Sequence, residues 1–245
     1  MTSHSPDFDT ILAPGADHHY AGGQSAVIRV LTDATLTLTS GHVTFDDPTD
    51  PLASYQCPLR RGLLPETPPV PPGQYPVHLI VADITDAAGG PDLTSKVAAV
   101  RLVVRDEPAV AWDIHEDYPD GQLAPTSGQP HAGNIVGMTD CQTCGTYYFR
   151  DVYEMAANYF GDQAVILTAN NTDDWFVSEV GSGYLEANGF PSEPVRDAMV
   201  LFPTGWTRGY YRTWAGRAAD GGLVSLLTDF EVLSENVGPD PRRCP

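Results

Sequence analysis

Lysine is nearly missing from this chain. Lys96 is the one example, and all cationic side chains together number 13 against 32 carboxylates, a formal charge of −19. The first 120 residues hold 17 acids and the remainder 15, so the charge is a general coat and not an acidic tail. Such a surface repels phosphate, and no arginine cluster or basic stripe interleaved with aromatics offsets the repulsion; nucleic-acid binding is therefore not expected. A long apolar run is also lacking, so no membrane-spanning helix is expected. The opening MTSHSPDFDT has neither a basic start nor an apolar centre. It does not read as a secretory signal, and a cytoplasmic location is the expectation.

Cysteine is scarce: Cys57, Cys141, Cys144 and Cys244. In a reducing compartment these are ordinary thiols. Only Cys141 and Cys144, in DCQTCG, have the spacing of metal ligands. They supply half of a tetrahedral site and no second pair exists, which leaves His131 as the candidate third donor. A redox pair needs a helix N-terminus after the first cysteine, whereas GTYYF reads as a strand. Ordinary thiols are the first reading, with a labile disulfide or a metal pair behind it. Also missing are a phosphate-binding loop, an HExxH pair and a nucleophile–base spacing.

What is present is strand pattern. Hydrophobic residues make up 42% of the chain, ordinary for a folded protein. Residues 1–24 carry Pro, Gly, Asp and three histidines with little periodicity and read as a flexible tail; there Asp17, His18 and His19 form a polar loop or, less simply, a metal pair. From Ser25, AVIRVL, TLTLT and HVTF read as short antiparallel strands. Residues 46–72 are Pro-rich and read as a long surface excursion or a boundary between subdomains. Gly73 opens QYPVHLIVADI, in which Tyr75, Val77, Leu79 and Val81 share a face and His78 lies opposite; Pro76 favours an edge or a strand start. KVAAVRLVVRD buries Ala98, Val100, Leu102 and Val104 and points Arg101 and Arg105 away. AVAWDIH follows, with Val110, Trp112 and Ile114 together and Asp113 and His115 opposite. These three strands read as a meander.

Residues 116–133 form a polar connector between a β-rich first half, 25–115, and a β-rich second half, 134–237. The second half holds the one expected helix, 152–160, capped by Asp151 with Glu154 three places on and ended by Gly161. After it comes the strand AVILT and a turn carrying Asn170, Asn171, Asp173 and Asp174. That turn satisfies its own backbone first; as oxygen ligands for Ca²⁺ or Mg²⁺, Asp173 and Asp174 lack the EF-hand spacing.

The closing stretch, AMVLFPTGWTRGYYRTWAGRAADGGLVSLLTDFEVL, reads as three consecutive antiparallel strands, with Asp220-Gly221-Gly222 as the last hairpin turn. Tyr210, Arg212 and Trp214 share one face: exposed, they are a stacking platform; buried, they are aromatic filling around a paired arginine. Asp229 lies in an apolar strand and needs a partner, for which Arg212 or Arg208 is the obvious candidate.

This block, with GQYPVHLIVADI, KVAAVRLVVRDEPAVAW and CGTYYFRD, resembles an uncharacterised bacterial family, domain of unknown function 4241, from about Gly41 to Leu233. The landmarks are the GxYPV strand from Gly73, the Val-Ala-Ala strand near Lys96, Gly145-Thr146 with Asp151, the GWxxGxY segment from Gly205 to Tyr210, and Thr228-Asp229-Phe230. The chain departs from it twice. TCGT, with Cys144, stands where such proteins tend to read Val-Asp-Ala-Gly-Thr, and Thr207 and Arg208 stand where they tend to read Gly and Asp. The resemblance implies no established chemistry; if the two acids missing here served a metal or catalysis in the family, that role is lost or altered in this chain.

The expected architecture is mainly β, with antiparallel sheets in a sandwich or two lobes forming one unit and a single short helix; parallel βαβ units would need more crossover helices. Two functional classes follow. The favoured one is a non-catalytic binding or protective protein for a basic protein partner, with Thr146, Trp206, Tyr210, Arg212 and Trp214 as binding residues and no cofactor. The alternative is a metal-dependent hydrolase of a small anionic substrate, with Asp151 or Asp229 on a divalent cation and Arg208 or Arg212 on the anion. A purely structural accessory domain is the third reading.

Overall fold

The computed structural model describes residues 6–20, 23–46, 68–85, 94–114, 135–140, 147–149, 167–168, 175–177, 199–203, 205 and 212–233. In chain order these form helix α1 (Phe8–Ile11) and strands β1 (Asp17–His19), β2 (Ser25–Leu38), β3 (Val43–Asp46), β4 (Gly73–Thr85), β5 (Thr94–Val103) and β6 (Ala111–Ile114). They continue with β7 (Ile135–Asp140), β8 (Tyr147–Phe149), β9 (Leu167–Thr168), β10 (Trp175–Val177), β11 (Met199–Pro203), β12 (Arg212–Arg217) and β13 (Leu223–Asp229). The protein is mainly β, as its alternating apolar pattern requires. A seven-stranded antiparallel sheet, ordered β1-β2-β4-β5-β13-β12-β6, curls as a half-barrel. A four-stranded sheet, β3-β7-β11-β9, packs on β2 and β5, and β10 pairs with β8.

Curvature has a local cause. Registers shift between Leu31 and Ala34 of β2, between Ile80 and Val81 of β4, and between Gly216 and Arg217 of β12. Each extra residue raises the local twist and bends its strand. In β4 it also moves burial from odd to even positions: Val77 and Leu79 are buried before the shift, Ala82 and Ile84 after it. The alternation read over residues 75–81 therefore holds for only half of the strand. Pro76 does not make β4 an edge strand. It sits where the β5 ladder has not yet begun, one residue before Val77 pairs with Leu102.

Strand order departs from sequence order. β4 and β5 are neighbours, but the β12–β13 hairpin lies between β5 and β6, so the expected meander is broken. β11 does not join that hairpin either; it runs between β7 and β9 in the other sheet. The two halves of the chain thus contribute strands to both sheets. Gly205 marks the passage from β11 towards the hairpin: a Cβ there would stand 3.0 Å from the Phe230 carbonyl oxygen and 3.0 Å from Val232 Cγ2. The hairpin turn is as expected, with Gly221 at φ +80° and Asp220 Oδ1 accepting from the Gly222 amide at 2.8 Å.

The N-terminal segment carries structure where the sequence reads as a tail. Asp7 caps α1, accepting from the Thr10 amide at 3.2 Å and its hydroxyl at 2.7 Å. Phe8 and Leu12, four apart and so on one helical side, are buried. Among the described residues α1 is the one helix; the expected helix at 152–160 lies outside them.

Gly216 faces Trp112 across β12 and β6, and a Cβ there would stand 2.8 Å from Ser225 Oγ and 3.0 Å from Trp112 Cζ3. Gly216→Ala should therefore cost about 1–3 kcal/mol through overpacking, read as a lower denaturation midpoint with unchanged slope.

Candidate functional site

Directly paired residues on neighbouring strands share a sheet face. The register Trp112–Gly216, Trp214–Leu227, Leu227–Arg101 and Arg101–His78 therefore lines up one face across β6, β12, β13, β5 and β4. Helix α1 lies on it. The Phe8 ring meets Trp112 at 5.2 Å and Trp214 at 5.3 Å between centroids, edge-on to both. Such contacts add about 0.5–1.5 kcal/mol each to the area buried. Beside them Asp9 spans two donors: Oδ1 accepts from Arg101 Nη1 at 2.7 Å and Oδ2 from the Ala109 amide at 3.0 Å. The Arg101 guanidinium also stands 5.5 Å over the Trp112 ring. The result is a notch with two indole walls and a cationic end, filled by a phenyl ring and a carboxylate.

Arg101 was expected to point away from the core. It does lie on the face opposite Val100 and Leu102, but that face is covered, and only 20% of its side chain is exposed. His78, across the ladder, is half-buried. Burial first, then the neighbouring Arg101 charge, lowers its pKa against the opposing pull of Asp106. The imidazole is thus held neutral beside a permanent cation. His18 is also engaged, its Nε2–H donating to the Ile11 carbonyl at 2.8 Å and tying β1 to the end of α1.

The same face carries the described part of the sequence-derived cluster. Arg212 and Asp229 are Cα partners in the β12–β13 register, and the Arg212 side chain lies outside the described residues. Trp214, the other described member, is half-buried and packed against the core under Phe8, so it is aromatic filling and not an open platform. Thr146, Asp151, Trp206, Arg208 and Tyr210 lie outside the described residues, as do Cys141, Cys144, His131, Asp173 and Asp174. Asp113 accepts from Arg217 Nε at 3.3 Å, and His115, expected on the same strand face, lies outside the described residues. Among the described residues no three His, Cys, Asp or Glu side chains gather closely enough to hold a metal.

Asp229 is chemically the most perturbed acid on this face. Its surroundings withhold water from the charged form, and the Glu231 carboxylate adds to that; the Glu231 amide, donating to Oδ1 at 2.9 Å, works the other way. Burial wins, and the pKa is pushed up to about 6. This short loop back to Glu231 closes an Asx turn in which Glu231 takes a left-handed φ of 55° while Phe230 and Val232 stay buried.

Phe8, Asp9, Arg101 and Trp112 were not singled out by sequence reasoning. A signal was there: DFDTIL places a capping Asp, a Thr three residues on, and apolar side chains at a helical spacing of four. It was hidden by the polar, histidine-rich residues around it. Against proteins of known family or structure, no family model, no curated protein and no solved structure matches the chain.

The Asp229 shift fixes the sign of a pH effect. A carboxyl whose folded pKa lies above its unfolded value contributes stability that is full below about pH 4 and is lost as pH rises to about 6. Asp229→Asn keeps an oxygen acceptor for the Glu231 amide and removes the ionisation. It should be more stable than the native chain by about 1–3 kcal/mol at pH 7.5, with little difference at pH 4, in denaturant titrations at the two pH values.

Proposed function

We propose that this protein is a non-catalytic binding protein whose acidic surface engages a basic protein partner. The observation that carries the reading is the fate of its few cations. Arg29 pairs with Asp83 at 2.8 Å, Arg101 with Asp9 at 2.7 Å, Arg105 with Asp220 and Glu107 at 2.9 Å each, and Arg217 with Asp113 at 3.3 Å. Every arginine whose side chain is described is thus turned to an internal carboxylate.

Two of these pairs hold their acid in the charged state. The Arg105 hydrogen bonds, with the Gly222 amide, hold Asp220 far below the usual carboxylate range. Burial alone would push Asp83 up, but hydrogen bonds from Arg29 and Ser95 outweigh it and leave the pKa lowered. Asp33 and Asp106 are exposed and belong to none of these pairs. Over the whole sequence, 32 acids against 13 cations give the chain a net negative field. Such a field steers a cationic partner inwards and speeds its encounter. Each arginine whose side chain is described already has a carboxylate partner, which weighs against a small anionic substrate resting on one of these.

Two measurements test this. Calorimetric titration with a lysine- and arginine-rich peptide should show saturable binding that weakens about tenfold or more between 50 and 200 mM salt, as screening shortens the reach of surface charge. The double variant Asp33→Lys/Asp106→Lys should bind more weakly at the lower salt. Absence of binding at low salt would overturn the reading. Melting with added Ca²⁺, Mg²⁺ or Zn²⁺ should leave the midpoint unchanged; a dose-dependent rise would restore the metal-dependent hydrolase instead.

A further inference from the structure

The contact between α1 and the sheet has the form of a bound ligand. A helix of four residues has no stability of its own, because nucleation costs more than one turn returns. Its order comes from what it touches. Phe8, only 4% exposed, fills the space between two indoles, and Asp9 is read at both oxygens by a guanidinium and a backbone amide. The sheet side of this contact is independently shaped for its occupant. Gly216 leaves room for the Trp112 ring, and Arg101 is placed by its strand register, with Asp9 its salt-bridge partner among the described residues.

We infer that the notch between Trp112 and Trp214, closed at one end by Arg101, is a peptide-recognition site for a helical turn carrying an aromatic residue followed directly by an acidic one, and that Phe8-Asp9 occupies it in cis as a built-in competitor. The ring supplies buried area and edge-to-face contact, and the carboxylate supplies direction through Arg101 and the Ala109 amide. A partner segment with the same pair takes the place of α1 when the N-terminal turn swings aside about residues 12–15, where Gly15 already sits at φ +81°. The site goes beyond the charge-based reading of the surface, since it selects a ring and a carboxylate whatever the partner's net charge. Loss of one leaves the other standing.

Tethering gives the cis segment an effective concentration on the order of millimolar. A free peptide therefore competes poorly with the native chain and well with a chain whose own plug is weakened. The test uses the full-length protein and the acetylated peptide PDFDTILA, residues 6–13 of this sequence, followed by tryptophan fluorescence and calorimetry. Phe8→Ala and Asp9→Asn proteins should each bind one peptide saturably, at least about tenfold more tightly than the native chain. Peptides with alanine for the phenylalanine, or asparagine for the aspartate that follows it, should lose about tenfold or more.

Equal binding to native and variant proteins would place the peptide elsewhere and overturn the assignment, as would no binding to either variant. Asp9→Asn removes an ion pair but no core ring, so it carries the test if Phe8→Ala does not fold. Failure of both to fold would make α1 a core element and sink the ligand reading. Concentration-dependent dimers of the native chain, dissolved by the peptide, would identify a second copy as the occupant and exclude a separate partner.

Discussion

A guanidinium on an interior strand is the constraint around which one side of this molecule is built. β5 is apolar through Val97, Ala98, Ala99 and Val100, all buried, and then presents Arg101. An arginine there cannot lose its charge and cannot be left without a counterion in a poorly hydrated place. The nearest answer in space comes from far away in sequence: Asp9. Pairing the two draws the N-terminal turn across the sheet, sets Phe8 between the tryptophans and leaves Asp9 able to hold the Ala109 amide as well. Breaking such a pair from one side would strand the other charge, so whatever covers this face has to bring a carboxylate to Arg101.

Much of the strand content was legible. Alternation finds β2, β4 and β5, and the Gly221 turn with its flanking apolar runs finds β12 and β13. Those signals arise inside one strand, from which side of the pleat each residue takes. Pairing is another matter. Nothing in the residues of β5 says that its second neighbour is β13 and not β6, because both offer apolar side chains at a period of two. The order follows from packing across long sequence distances, which no short window contains. For the same reason the notch was missed: its walls come from β6 and β12, its cation from β5, and its occupant from residues that look like a polar tail. The direct register of Arg212 with Asp229, by contrast, is a local property of one hairpin, because the Asp220-Gly221-Gly222 turn sets which residues of β12 and β13 face each other.

Charge plays two roles that are easily confused. The bulk excess of acid is a property of composition and sets what the molecule attracts from a distance. The individual arginines are structural: they join β2 to β4, the N-terminal turn to β5, the β5–β6 connection to the β12–β13 turn, and β6 to β12. A protein with so few cations has spent those described here on its own joints. Salt at high concentration would weaken the field, and with it the exposed Arg105–Asp220 and Arg217–Asp113 pairs, before it loosened the part-buried Arg29–Asp83 and Arg101–Asp9 pairs, because screening acts chiefly on exposed charge.

The insertion of β12 and β13 between β5 and β6 also has a consequence in time. As the chain leaves the ribosome, β5 and β6 emerge about a hundred residues before the strands that fill the gap between them. During that interval both would present unpaired backbone edges, with the indole of Trp112 and the uncovered face of β5 beside them. The N-terminal turn, made first, has no Trp214 to close on until nearly the end of synthesis. The half-barrel is therefore a fold completed by its last strands, of the kind whose slow, long-range closure leaves nascent chains exposed to misassociation. A dense negative charge on every part of the unfinished chain is one means of keeping such chains apart while they wait.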